Sequence, residues 1–311
     1  MNSAWHNIAW LLRRETMEHR RLLYAPAILG GVVIGLNLIM LAIGLINHTH
    51  TSIRIQFESG SVLNALALNL NTLDPGEMAD LGQAIALLLL AVLLLFLLAF
   101  GAATLNYALG CLFEERRDRS ILFWKSLPTT DGQSVAAKAL IAMLALPVLY
   151  TVAALITGWV TIGTYLLLLL GSGASAAQLL AETHLGATTA LTLAALPIYI
   201  LTIAPVTGWM MLCSAVSRRH PMLMAILVPA LFAVLGALGL PNPVWHLLVG
   251  QILPTGYTAA LSSLGHAGGF QHALALLYRP LATLDLWLGL VFAVACLVGA
   301  TVYRHRCTTL V

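Results

Sequence analysis

Between residues 81 and 113 the chain carries no charged side chain, and the same holds for 25–46. An uncharged apolar run of that length cannot be kept in water, whereas a hydrocarbon layer about 30 Å thick accepts a helix of about 20 such residues. Comparable segments recur through the 311 residues, of which 60% are hydrophobic and 9% charged. This excludes a soluble globular domain, where about a quarter of residues are charged. Fifteen Lys and Arg against 12 Asp and Glu give a net charge of only +3, too little for a surface that holds nucleic acid.

The expected fold is an all-α polytopic membrane protein, a single transmembrane domain over 1–311. Six spans are placed at 25–46, 81–112, 139–166, 185–216, 222–240 and 284–303. Pro147, Gly158, Pro197 and Pro205 are tolerated inside spans because neighbouring helices can satisfy freed carbonyls. Asp74, Pro75 and Glu77 form a helix start, so the second span begins before its apolar part. The stretch 242–278 contains Pro243 and Pro254, cannot be one helix, and is read as short interfacial helices on the outer side. In residues 1–24, Trp5, Ile8 and Leu12 share a stripe, which suggests an amphipathic helix along the inner membrane surface; its two readings are a plain anchor and a docking element for a partner. Gly31 and Gly35 permit close helix approach, within one copy or between two.

With these spans, 13 of the 15 basic residues fall on one side, leaving Arg54 and Arg279 on the other. Basic residues flanking spans favour the cytoplasm, so both termini are expected there, and six spans satisfy that parity. Apart from Asp285 near one edge, no charged residue lies within a proposed span, which argues against an ion-driven pump. There is no G-x-x-x-x-G-K-[ST] loop and no H-E-x-x-H helix, so the chain has no visible means of hydrolysing ATP or holding catalytic zinc. His48 and His50 lack an obvious third ligand, and no pair among the four cysteines has metal or disulfide spacing. Neither a metal nor a cofactor is expected on this chain. Uncharged polar side chains inside the spans, among them Asn37, Thr104, Asn106, Tyr107, Tyr199 and Thr202, are either interhelical hydrogen bonds or the lining of a substrate path.

Residues 114–138, EERRDRSILFWKSLPTTDGQSVAAK, hold nine of the 27 charged residues. Alternating charges support a short helix, Ile121, Leu122 and Trp124 give it an apolar side, and Pro128 stops it. Thr130 with Gln133 then forms a capping box that restarts helix into the third span. A loop that merely fixed orientation would not need Phe123 and Trp124 beside the charges; a short helix with exposed aromatics suits a protein partner.

The run from Glu115 to Pro128, with Thr130, Asp131, Val135 and Lys138 following, resembles the first cytoplasmic loop of bacterial type-2 ABC (ATP-binding cassette) transporter permeases. Arg13, Arg14, Glu15, Glu18, His19 and Arg20 resemble the segment that opens those permeases. The resemblance implies a permease subunit of an exporter in the bacterial inner (cytoplasmic) membrane, moving a lipophilic or amphipathic substrate. Its partners would be a second permease copy, identical or related, and two copies of a separate cytoplasmic ATPase that carries the ATP and Mg. Loop 113–138 would then hold the coupling helix, touching the ATPase through Glu114, Glu115, Arg116, Arg117, Asp118, Arg119, Ser120, Phe123, Trp124, Lys125, Ser126, Leu127 and Pro128, with Arg14, Glu15 and Glu18 alongside. The alternative is a membrane anchor or scaffold for a cytoplasmic partner, without transport.

Overall fold

The computed structural model describes residues 2–48, 75–118, 130–172, 185–237, 255–263 and 269–306, and every regular element among them is helical. In chain order these are α1 (Asn2–Glu18), α2 (Arg20–His48), α3 (Pro75–Gly110), α4 (Phe113–Arg117) and α5 (Asp131–Leu140). A π-helical turn (Ile141–Ala145) joins α5 to α6 (Leu146–Ser172), followed by α7 (Leu185–Val216) and α8 (Pro221–Ala237). The last helices are α9 (Thr255–Ser263), α10 (Gly269–Tyr278), a 3₁₀ turn (Arg279–Ala282) and α11 (Leu284–Arg306).

Five of the described helical stretches are long and apolar enough to cross a membrane: Arg20–Ile43, Leu87–Arg117, Asp131–Leu166, Leu185–Val216 and Leu284–Arg306. The architecture is that of an all-α, multi-pass membrane protein. α8, expected as a span over 222–240, is described only to Ala237 and falls short of that length, so five spans rather than six are counted among the described residues. The exterior is apolar, with Ile28, Leu98, Val291 and Leu227 each more than 60% exposed, which suits acyl chains as solvent.

Helix starts follow the local chemistry. Proline opens α3 at Pro75, where its missing N–H costs nothing. Thr130 caps α5 reciprocally with Gln133, as the sequence predicts. The π turn lies directly before Pro147, which has no N–H to give back to the preceding turn. Thr255–Ser263 and Gly269–Tyr278 are indeed short helices before the last span.

One expectation is corrected. The amino-terminal 1–24 segment is not one helix. The chain turns at His19, where Leu22 N–H bonds the His19 carbonyl, and residues from Arg20 onward belong to the first candidate spanning helix. The face that α1 buries within the protein runs through Leu11 and Glu15, both 2% exposed, beside the half-buried Leu12 of the stripe expected to meet the membrane surface. Trp5 and Ile8 of that stripe lie outside the residues whose side chains are described.

The chain divides into two compact units. In the unit made of 24–99 and 149–192, the close approach falls at Gly30, not at Gly31 or Gly35. A Cβ on Gly30 would sit 2.7 Å from Thr157 Oγ1, whereas one on Gly31 or Gly35 would meet open space. Leu89 lies over Gly158, and Tyr165 donates to Asn37.

In the unit made of 1–23, 100–148 and 193–311, α7 meets α11 backbone to backbone: a Cβ on Gly208 would be 3.0 Å from the Ala293 carbonyl oxygen and 3.1 Å from its Cα. Neither atom can swing aside. Gly208→Ala is therefore expected to destabilise the protein by about 1–3 kcal/mol, while Gly31→Ala leaves stability unchanged or slightly raised because alanine favours helix. Thermal unfolding of both variants in one detergent checks this contrast.

Candidate functional site

Helix α3 ends because Ser214 on α7 intercepts it. The Ser214 hydroxyl donates to the Leu109 carbonyl and accepts from the Leu112 and Phe113 N–H groups, serving the backbone groups that a helix end leaves over. After that break the five-residue α4 begins, and Arg116 fixes it by donating to the Ser214 and Ser217 carbonyls, both at 2.7 Å. Arg116 also lies 5.8 Å from the centre of the Tyr303 ring. α4 therefore points Glu115 in one direction only, into the unit, where it is 5% exposed.

There Glu115 meets three cations from three other helices. Arg304 of α11 reaches Oε2 at 2.6 Å, and Arg14 of α1 and Lys138 of α5 approach Oε1 at 3.0 and 3.2 Å. Lys138, 1% exposed, also donates to Glu15 Oε1 at 2.6 Å. The other Glu15 oxygen accepts from the Tyr107 hydroxyl of α3 at 3.3 Å, with His19 Nε2 3.8 Å away. Arg304 makes a further bond to Asp131 Oδ1 at 3.0 Å, and His305 lies 3.4 Å from the second oxygen of that carboxylate. Among the described residues, the buried and half-buried members Glu15, Glu115 and Asp131 against Arg14, Lys138 and Arg304 carry three formal charges of each sign, with the exposed Glu18 also reaching Arg14 at 3.4 Å.

Charges removed from water persist only where each has a partner and its remaining polar atoms are hydrogen-bonded. The bridged carboxylates meet that demand: each oxygen of Glu15 and Glu115 has a donor. Mechanically the cluster pins α1, α3, α4, α5 and α11 to one another through side chains that cannot be exchanged singly. Chemically it offers no vacant ligand set, and among the described residues no group of three or more His, Cys, Asp or Glu could hold a metal ion.

Several residues expected at a partner surface are thus placed elsewhere. Glu15 and Glu115 are buried among this chain's own cations, and Arg14 lies between Glu115 and Glu18. Glu114, Arg117, Asp118 and Glu18 remain at the surface, with Arg117 paired to its neighbour Asp118 at 3.1 Å. Residues 119–129, including Arg119, Ser120, Phe123, Trp124, Lys125, Ser126, Leu127 and Pro128, lie outside the described residues.

Of the six polar residues considered for a substrate path, three donate within their own helices. Asn37, Asn106 and Thr202 donate to the carbonyls of Val33, Ala102 and Tyr199. Tyr107 serves Glu15, and Tyr199 packs edge-on against Phe100. The hydroxyl of Thr104 is buried without a partner among the described residues. Lys138, Asp131 and His19 entered the sequence reading only within the resemblance, and Arg304 only among the basic residues that set orientation, none of them as a site residue. Lys138 reaches Glu15 across 123 residues and Arg304 reaches Asp131 across 173, and pairing at such separations leaves no local pattern, whereas His19 lies four residues from Glu15.

Lys138→Met should leave Glu15 and Glu115 short of a cation and cost about 3–5 kcal/mol. Adding Glu15→Gln to it should restore part of that loss, a coupling of about 0.5–3 kcal/mol in a double-mutant cycle on detergent melting. Strict additivity of the two changes would contradict the shared cluster.

Comparison with family models, with curated proteins and with solved structures gives no match to this chain.

Proposed function

We propose that the chain is the membrane-spanning permease subunit of an ATP-driven ABC exporter, powered by a separate cytoplasmic ATPase. The observation that supports it most is that one buried lysine, Lys138, holds both segments carrying the sequence resemblance, α1 through Glu15 and α4 through Glu115. Lys138 stands in α5, which continues through the π turn into a candidate span. A force applied to the 113–138 loop would then be delivered to α1 and α11 as well as to the span that follows, which is what a partner-driven permease requires.

In this reading the basic ends of the helices face the cytoplasm of a bacterial cell, both termini lie there, and α8 completes a sixth span. Two permease copies, identical or related, receive two ATPase copies, and ATP and Mg are bound by those partners. The permease performs no chemistry itself. Its substrate is lipophilic or amphipathic, in keeping with polar side chains that are uncharged, and the outward direction follows from the resemblance.

The test is a pull-down of the chain from native membranes in mild detergent, with partner identification and ATPase measurement for wild type and Trp124→Ala. A co-purifying ATPase is expected, either lost or uncoupled from transport in Trp124→Ala while the permease melts as wild type does. A chain that emerges alone at every detergent concentration would favour the anchor or scaffold reading, and full transport by Trp124→Ala would contradict the coupling role of the loop.

A further inference from the structure

In the unit made of 24–99 and 149–192, α2 and α6 meet along a polar line. Gly30 lies against the Thr157 hydroxyl, and further along both helices Tyr165 donates to Asn37 Oδ1 at 3.3 Å. Thr161 stands midway on α6, one turn from Thr157 and one turn from Tyr165, so all three share a face of that helix. It is 1% exposed, and its hydroxyl has no hydrogen-bond partner among the described residues. Thr157, Thr164, Thr189 and Thr192 in the same unit behave differently, each returning its hydroxyl to a carbonyl three or four residues back. A hydroxyl enclosed in a membrane protein and bonded to nothing is costly, because no lipid can take up the bond.

The polar groups of this line have bonding capacity left over. Asn37 gives one amide hydrogen to the Val33 carbonyl and takes the Tyr165 hydroxyl on Oδ1, which leaves it one donor and one acceptor position. The Tyr165 oxygen donates but accepts nothing, and Thr161 can both give and take. Two spare donors and three spare acceptor groups on adjacent turns suit one buried water, which makes about three hydrogen bonds to groups otherwise left over. Thr161 and Tyr165 are too enclosed to admit a larger ligand from outside. Water has a short way to come: Asn37 is six residues, about 9 Å, from Ile43, where the candidate span of α2 ends, and Tyr165 stands beside Leu166, the end of the other. We propose that Thr161, Asn37 and Tyr165 hold a single structural water that bridges α2 and α6. This site does not depend on the transport reading.

The experiment is thermal unfolding of the purified full chain in one detergent, together with a density map of the wild type fine enough to show ordered water. Thr161→Val keeps the shape of the side chain and removes the hydroxyl. It is expected to lower the melting temperature by about 2–4 °C, because the water loses a partner. Combined with Tyr165→Phe it should cost less than the sum of the two single changes, since both act on the same water. The map is expected to show that water within hydrogen-bond distance of Thr161 Oγ1 and of Asn37 or Tyr165. A Thr161→Val protein that melts at or above the wild-type temperature would overturn the site, because removing a hydroxyl that bonds nothing relieves the protein. So would a map in which the Thr161 hydroxyl turns onto the Thr157 carbonyl with no water beside it, a result that stands even if the variants do not survive purification.

Discussion

A chain with so little charge gathers six buried or half-buried charged side chains, three of each sign, at one place, and the arrangement of α1, α4, α5 and the end of α11 depends on their pairing. Glu115 accepts from Arg304, Arg14 and Lys138, and Lys138 turns from it to Glu15. Each group is costly to bury alone and inexpensive in company. The consequence is cooperative: α4 is only five residues long, so ion pairs and hydrogen bonds rather than buried area fix it against α1, α5 and α11. A helix of that length would not form by itself; the Ser214 hydroxyl and the Arg116 bonds to carbonyls at the end of α7 hold it in place.

Away from the cluster, cohesion has a different origin. Lipid offers helices no hydrophobic reason to associate, so association depends on close packing and a few hydrogen bonds. Glycines at 208 and 30 serve this role, the first against the Ala293 backbone and the second against the Thr157 hydroxyl. Most buried threonines bond the carbonyl three or four residues back, as Thr207 does to Ile203, and so satisfy themselves without joining helices. Among the described residues the long-range ion pairs gather at helix ends, while within the spans polar contacts such as that of Tyr165 with Asn37 accompany close packing.

Much of the fold was legible because each element is signalled locally. Uninterrupted apolar runs marked the spans, Pro75 marked the start of α3, and Thr130 with Gln133 marked the start of α5. The partition of 1–24 at His19 was not legible, since no proline or glycine stands there. The candidate site was half visible. Glu15, Glu115 and Arg14 stood out as charged residues in motifs, but their burial could not be read, because it depends on Arg304, which is 189 positions from Glu115. Within one copy the glycine spacing did not locate the close approach: Gly31 and Gly35 fit the spacing, while Thr157 lies on the side of Gly30.

The charge cluster makes α1, α4, α5 and the end of α11 one mechanical body, and hydrogen–deuterium exchange of wild type and Lys138→Met in the same detergent puts this to the test. Protection should fall together in α1, in residues 113–117 and around Arg304, although these are far apart in the chain, and should be unchanged over residues 149–166. Loss of protection confined to α5 itself would show that the lysine stabilises only its own helix and would contradict the claim.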